Sequence, residues 1–169
     1  MNYLIIVLRI IHILAGVFWV GGTLMMTFFI GPAIGATAEA GQKFVGHLMS
    51  KLKFSQRMAA AAGLTILAGA ILFWIDSDGF DSAWVSSGAG RGFSIGAGFA
   101  IIGFAYGLLI GRTTTAMAQL GAQFQGKPSP EQITQMQTLG KNQTSYSRIA
   151  SAMLILAVIF MATARYFVF

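Results

Sequence analysis

The chain has 169 residues, 56% of them hydrophobic and 9% charged, with 21 Gly, no Cys and a formal net charge of +6. A soluble domain carries about a quarter charged residues, so the composition excludes an ordinary soluble enzyme and points to a polytopic membrane protein. The lack of cysteine excludes disulfides, thiolate metal sites, iron–sulfur clusters and c-type haem attachment, and the eleven Lys and Arg lie scattered at the ends of apolar runs, which makes no nucleic-acid-binding face.

The first apolar run extends from Tyr3 to Ile30. It lacks a basic start, exceeds the apolar core of about 7 to 15 residues that a signal peptide has, and holds Arg9 and His12, so it is expected to be a retained span. Three more runs, Met58 to Ile75, Phe93 to Gly111 and Ile149 to Val168, meet the length of about 18 to 20 residues needed to cross a bilayer as a helix. The expected fold is therefore all-α, a polytopic transmembrane four-helix bundle forming a single domain over residues 1–169.

Between the first two runs, Phe44, Val45, Leu48, Met49 and Leu52 recur at helical spacing among Lys and Gln, which predicts a short amphipathic helix within residues 37–53 on the membrane surface. The segment 113–147 is polar and broken by Pro128 and Pro130, and its Pro-Ser-Pro-Glu-Gln run can start a second surface helix near Ser129. Basic residues concentrate in these two long connections: Lys43, Lys51, Lys53 and Arg57 in one, Arg112, Lys127, Lys141 and Arg148 in the other. The remaining loop has Arg91 beside Asp76, Asp78 and Asp81. By the positive-inside rule both long loops are cytoplasmic and both termini outside. Arg57-Met58-Ala59 and Arg148-Ile149-Ala150 open two spans alike, so the chain reads as two copies of one two-span unit.

Gly96, Ala100, Gly103, Gly107 and Gly111 line one side of the third span with almost no side chain, and Ala59, Gly63, Gly69 and Ala70 do so more loosely in the second. Such faces suit close helix packing within the chain, and alternatively a homo-oligomer or membrane-protein partners.

Ionisable groups inside spans are costly and mark sites. Arg9 and His12 are three residues apart on one helix face, and Arg165 lies near the end of the fourth span, all in the outer half. The arginines either snorkel to the headgroups or face inward as a pair, neutralised by Asp76, by Asp78 or by an anion such as a haem propionate. His12 is too short to snorkel; it serves as a haem or metal ligand, or as a neutral imidazole bonded to a Ser, a Thr or a backbone carbonyl of another span. Gly16, one turn further, leaves room for a flat macrocycle, and Met161 comes to about the depth of His12 by the 1.5 Å rise per residue, as a second ligand or a packing residue. His47 lies toward the opposite face. Trp74 and Trp84 fit an interfacial belt, whereas Trp19 lies mid-span. No hydrolytic motif, phosphate loop or zinc spacing occurs, and no span carries a central acid for proton relay.

The run His12-Ile-Leu-Ala15-Gly-Val-Phe-Trp19-Val-Gly21-Gly22 resembles the His-x-x-Ala-x-x-x-Trp-x-Gly-Gly signature of the copper resistance protein D (CopD) superfamily, and Met161-Ala-Thr-Ala-Arg165-Tyr166 resembles the close of its small members. The HemJ-type protoporphyrinogen oxidases, distantly similar, share four spans and the His-to-Trp spacing and bind haem b; they carry a Lys deep in a later span, and no Lys here falls within a predicted span. The resemblance implies a prokaryotic cytoplasmic-membrane protein holding haem b, or alternatively copper, at His12, with Arg9, Gly16, Trp19, Met161 and Arg165 around it, for redox or metal handling. The rival expectation is a non-catalytic subunit or scaffold of a larger membrane complex.

Overall fold

The computed structural model describes residues 3–124 and 126–167 and is helical almost throughout. Helix α1 (Tyr3–Met25) passes through a π-helical turn (Met26–Ile30) into α2 (Gly31–Ala36), giving one apolar rod. Helix α3 (Ala38–Ser50) follows, then α4 (Phe54–Asp76), the short α5 (Ser82–Ser86), α6 (Gly88–Ala122) and α7 (Pro130–Thr163), which ends in a 3-10 turn (Ala164–Tyr166). Four of these rods, Tyr3–Ala36, Phe54–Asp76, Gly88–Ala122 and Pro130–Tyr166, are long and apolar enough to cross a membrane. The fourth expected span was drawn to Val168, which lies outside the described residues.

The polar stretch 113–147 departs from the expectation of a loop with a separate surface helix. A helix does start at Ser129, through a capping box in which Ser129 Oγ accepts from Gln132 N and Gln132 Oε1 accepts from Ser129 N. It then runs without a break into the last span. At 35 residues α6 is about 52 Å long, well beyond an apolar core of about 30 Å. Helical backbone bonds close equally well in water and in lipid, so nothing obliges a helix to stop where hydropathy does. Gln143 Nε2 donating to Thr114 Oγ1 at 3.1 Å, and the Tyr106 and Tyr146 rings 5.9 Å apart, tie the polar halves together.

Two helix pairs dominate the packing, α1 with α4 and α6 with α7, with α1 also touching α7 and α4 touching α6. The central contact is Trp19, 5% exposed, packed on Ala61, Ala62 and Leu154 and meeting Phe104 edge-on at 6.2 Å. One indole thus joins all four long helices. A second small core, Leu8 with Ala68 and Leu72, lies closer to the start of α1. Deeper along α1, Ser151 Oγ of α7 donates to Thr27 Oγ1 at 3.0 Å, and Thr27 Oγ1 donates back to Thr23 O at 2.8 Å. Thr27 belongs to the π turn, so this contact ties the turn to α7.

The connection from α4 to α6 turns sharply. Asp78, Gly79 and Phe80 are all left-handed, with φ of 47°, 76° and 67°, and the amide of Phe80 donates to Ser77 Oγ at 3.0 Å. Phe80 pays for its strained backbone by packing its ring at 5.1 Å from Trp74 and 5.8 Å from Phe73. Trp74 and Trp84 thus both join the aromatic cap over this end of the molecule.

Candidate functional site

Helix α1 presents Arg9 and His12 one turn apart. His12 is half-buried, and its Nδ1 lies 2.8 Å from the carbonyl oxygen of Thr65 in α4. A carbonyl only accepts, so Nδ1 carries the proton and donates; the lone pair is left on Nε2. The Cε1–Nδ1 edge of the ring packs against Gly69: a Cβ there would come within 2.7 Å of Cε1 and 2.9 Å of Nδ1. One turn along each helix the relation is reversed, since Gly16 of α1 faces the Thr65 methyl, which a Cβ would meet at 3.5 Å. His12 therefore fits the notch of Gly69 while Thr65 fits the notch of Gly16. The space freed at Gly16 is taken up by this helix crossing. Thr65, 8% exposed, satisfies its own hydroxyl by donating to Ala61 O at 2.8 Å.

Toward the chain ends the two arginines converge. Arg9 Nη2 lies 3.4 Å from Asp76 Oδ2, with the side chains 43% and 31% exposed. Arg165, projecting from the 3-10 turn, lines the same cleft of about 220 Å³, together with Trp84, Ala89 and Phe93. Of the two acids proposed from sequence, Asp76 is the partner of Arg9, while Asp78 sits exposed in the left-handed turn. Two guanidinium groups facing one carboxylate leave the cleft net positive, and Arg165 has no ion-pair partner among the described residues.

Trp84, Ala89 and Phe93 were not singled out as cleft residues from sequence. Their placement follows from the caps on either side: Asp81 Oδ2 accepts from Trp84 N at 2.9 Å, and Ser87 Oγ accepts from Gly90 N at 3.1 Å, which starts α6. The alternating Gly88, Gly90 and Gly92 then let the turn after α7 close onto α6; a Cβ at Gly92 would strike Ala164 Cα at 2.8 Å. That Ser-Gly-x-Gly-x-Gly run was the available signal.

Met161 packs on Gly96 of α6, where a Cβ would meet its Cγ at 3.1 Å, so Met161 and His12 serve different helix pairs. Trp19 is the packing centre already described, and His47 is exposed on α3. Among the described residues no group of three or more His, Asp or Glu is placed to hold a metal ion. The chemistry on offer is one oriented imidazole with a free Nε2 and, nearer the chain ends, a cationic cleft. No family model matches the chain, and neither the curated proteins nor the solved structures provide a match.

Proposed function

We propose that the protein is an integral membrane haem b protein of the CopD-like kind, a four-helix bundle in whose outer half His12 would hold the iron. The observation that carries this is the 2.8 Å bond from His12 Nδ1 to Thr65 O. It fixes the tautomer, holds the ring in the Gly69 notch and raises the donor strength of Nε2, as outer-shell carbonyls do for ligating imidazoles. A single imidazole fits an axial haem ligand better than it fits a bare copper ion, which requires further donors. Arg9 and Arg165 would hold the anionic groups of a haem by charge-assisted hydrogen bonds, with Asp76 orienting Arg9. Haem, when bound, supplies one-electron redox chemistry. The excess of Lys and Arg in the two long connections supports an orientation with the termini outside and those connections cytoplasmic, and a prokaryotic cytoplasmic membrane is part of the proposal.

The test is an absorption spectrum of the purified protein, oxidised and dithionite-reduced, with iron and copper analysis of the same sample. A Soret band with near-stoichiometric iron, lost in His12→Ala, is expected. An unchanged spectrum in that variant overturns the ligand assignment, and copper without a Soret band moves the assignment to copper. Arg9→Gln with Arg165→Gln should retain the band and loosen the cofactor, read as faster transfer to apomyoglobin.

A second reading, a subunit docking partner helices in a larger complex, is favoured by one observation: no atom lies within 4 Å of where a Cβ would stand at Gly107 or Gly111. These positions of α6 are free of internal packing, unlike Gly96 and Gly103.

A further inference from the structure

At the end of the molecule away from Arg9, α2 and α3 fold against each other in a tight corner. Gly41 is buried against Ile34, and its missing side chain is required there: a Cβ would meet Thr37 Oγ1 at 2.6 Å and Ile34 Cα at 2.8 Å. The corner leaves a groove of about 310 Å³ lined by Ile30, Ala33, Ile34, Ala40 and Phe44, with Thr37 at the vertex. Thr37 Oγ1 donates to Ala33 O at 2.7 Å, so even its hydroxyl is satisfied locally. The Phe44 side chain is 51% exposed. The groove is thus apolar along its length and has no polar group seeking a partner.

Charge near it is one-sided. Glu39 is the only acid on α3 and is occupied by Lys43 at 2.7 Å. Lys51, Lys53 and Arg57 follow, all exposed and without an acidic partner among the described residues. Lys51 stands seven residues beyond Phe44, about 10 Å along α3. Lys53 is also the N-cap of α4 and supplies no side-chain cap; its carbonyl accepts from Gln56 N at 3.0 Å and Arg57 N at 3.1 Å, which leaves the amides of Phe54 and Ser55 as the uncapped donors of this helix start, beside these three cations.

From the apolar groove and this charge we infer that the α2–α3 corner is a binding site for one anionic phospholipid, an acyl chain lying along the groove and the phosphate held by Lys51, Lys53 and the start of α4. A zwitterionic lipid offers the same chain but cancels the charge that the lysines recognise. The inference is independent of the haem proposal, since it uses other residues at the other end of the molecule.

The test uses the full chain purified in detergent, delipidated, and titrated with dioleoyl phosphatidylglycerol or dioleoyl phosphatidylcholine. Adducts are counted by native mass spectrometry and the melting temperature is followed. The wild type should take up one phosphatidylglycerol in preference to phosphatidylcholine. Lys51→Gln with Lys53→Gln should reduce the preference about 25-fold, from about 1 kcal/mol per surface lysine, while leaving phosphatidylcholine uptake unchanged. Ala40→Phe, which fills the groove, should suppress uptake of both lipids. Equal uptake of the two lipids by the wild type, or undiminished phosphatidylglycerol binding by folded Ala40→Phe, overturns the assignment. So does a dimer that dissociates on Ala40→Phe, because a second copy would then be the occupant.

Discussion

The two helix pairs solve the same packing problem in opposite ways. Helices α6 and α7 meet through glycines that receive apolar side chains, Met161 at Gly96 and Leu154 at Gly103. Helices α1 and α4 meet through glycines that receive polar ones, the His12 ring at Gly69 and the Thr65 side chain at Gly16, with an ion pair between Arg9 and Asp76 nearer the chain ends. In lipid, where helix association rests on van der Waals contact, the first arrangement suffices. The half-buried imidazole at the second is stabilised by the carbonyl that accepts its proton, and as packing it contributes nothing that an aliphatic side chain would not. The difference sets the polar groups of α1 and α4 apart from the purely apolar scaffolding of α6 and α7.

The largest effect is expected on the scaffolding side. In Gly103→Leu the new Cβ alone would lie 2.9 Å from Leu154 Cδ2, and Leu154 is 1% exposed and packed on Trp19, so it has nowhere to move. Overpacking at such a site costs about 3 kcal/mol. Thermal unfolding in detergent should show it as a markedly lower melting temperature. A melting temperature equal to that of the wild type would mean that α6 and α7 are not held by this contact.

Gly69→Ala addresses the other pair. The added methyl displaces the imidazole and breaks its bond to Thr65 O, at a cost of about 1 to 3 kcal/mol for strain and a lost buried partner. Because overall stability alone would not separate this from ordinary crowding, the informative readout is the ¹⁵N shift pattern of His12. The wild type should show a single Nδ1–H tautomer and the variant a mixture. A retained single tautomer would remove Gly69 from the seat of the ring.

The four long apolar helices were legible in the sequence, and so were Arg9, His12 and Arg165 as ionisable residues within them, because hydropathy is a local property. An acidic partner for Arg9 was legible too, though not which of Asp76 and Asp78. Thr65 and Gly69 were not, because their role depends on the register between α1 and α4, over fifty residues apart, and both look like ordinary span residues. The extension of α6 and α7 past the apolar runs escaped for a different reason. Hydropathy reports where side chains prefer lipid, whereas the helix continues wherever its backbone bonds and the Ser129 cap sustain it.

The join between the two pairs offers a smaller test. Ser151, fully buried on α7, donates to Thr27 in the π turn. Interhelical hydrogen bonds of this kind in membrane proteins average about 0.6 kcal/mol, so Ser151→Ala should lower stability only slightly. Its sharper consequence is local: with the donor gone, hydrogen exchange of the amides around Thr27 should quicken while those of the Trp19 core stay protected. Uniform quickening would show that the π turn is coupled to the whole core.

The smallest effect on stability is predicted for Gly107→Leu, one turn from the most damaging substitution. No atom lies within 4 Å of a Cβ at that position, so the leucine points away from the internal contacts and the melting temperature should match the wild type. That makes it the variant that separates the two proposed functions. A haem protein complete in one chain keeps its spectrum and its activity in this variant. A subunit that docks a partner helix on this face loses assembly while remaining folded, since a leucine where two backbones must approach holds them apart. Set beside Gly103→Leu, the pair distinguishes a glycine that the chain needs for its own packing from one whose use lies outside it.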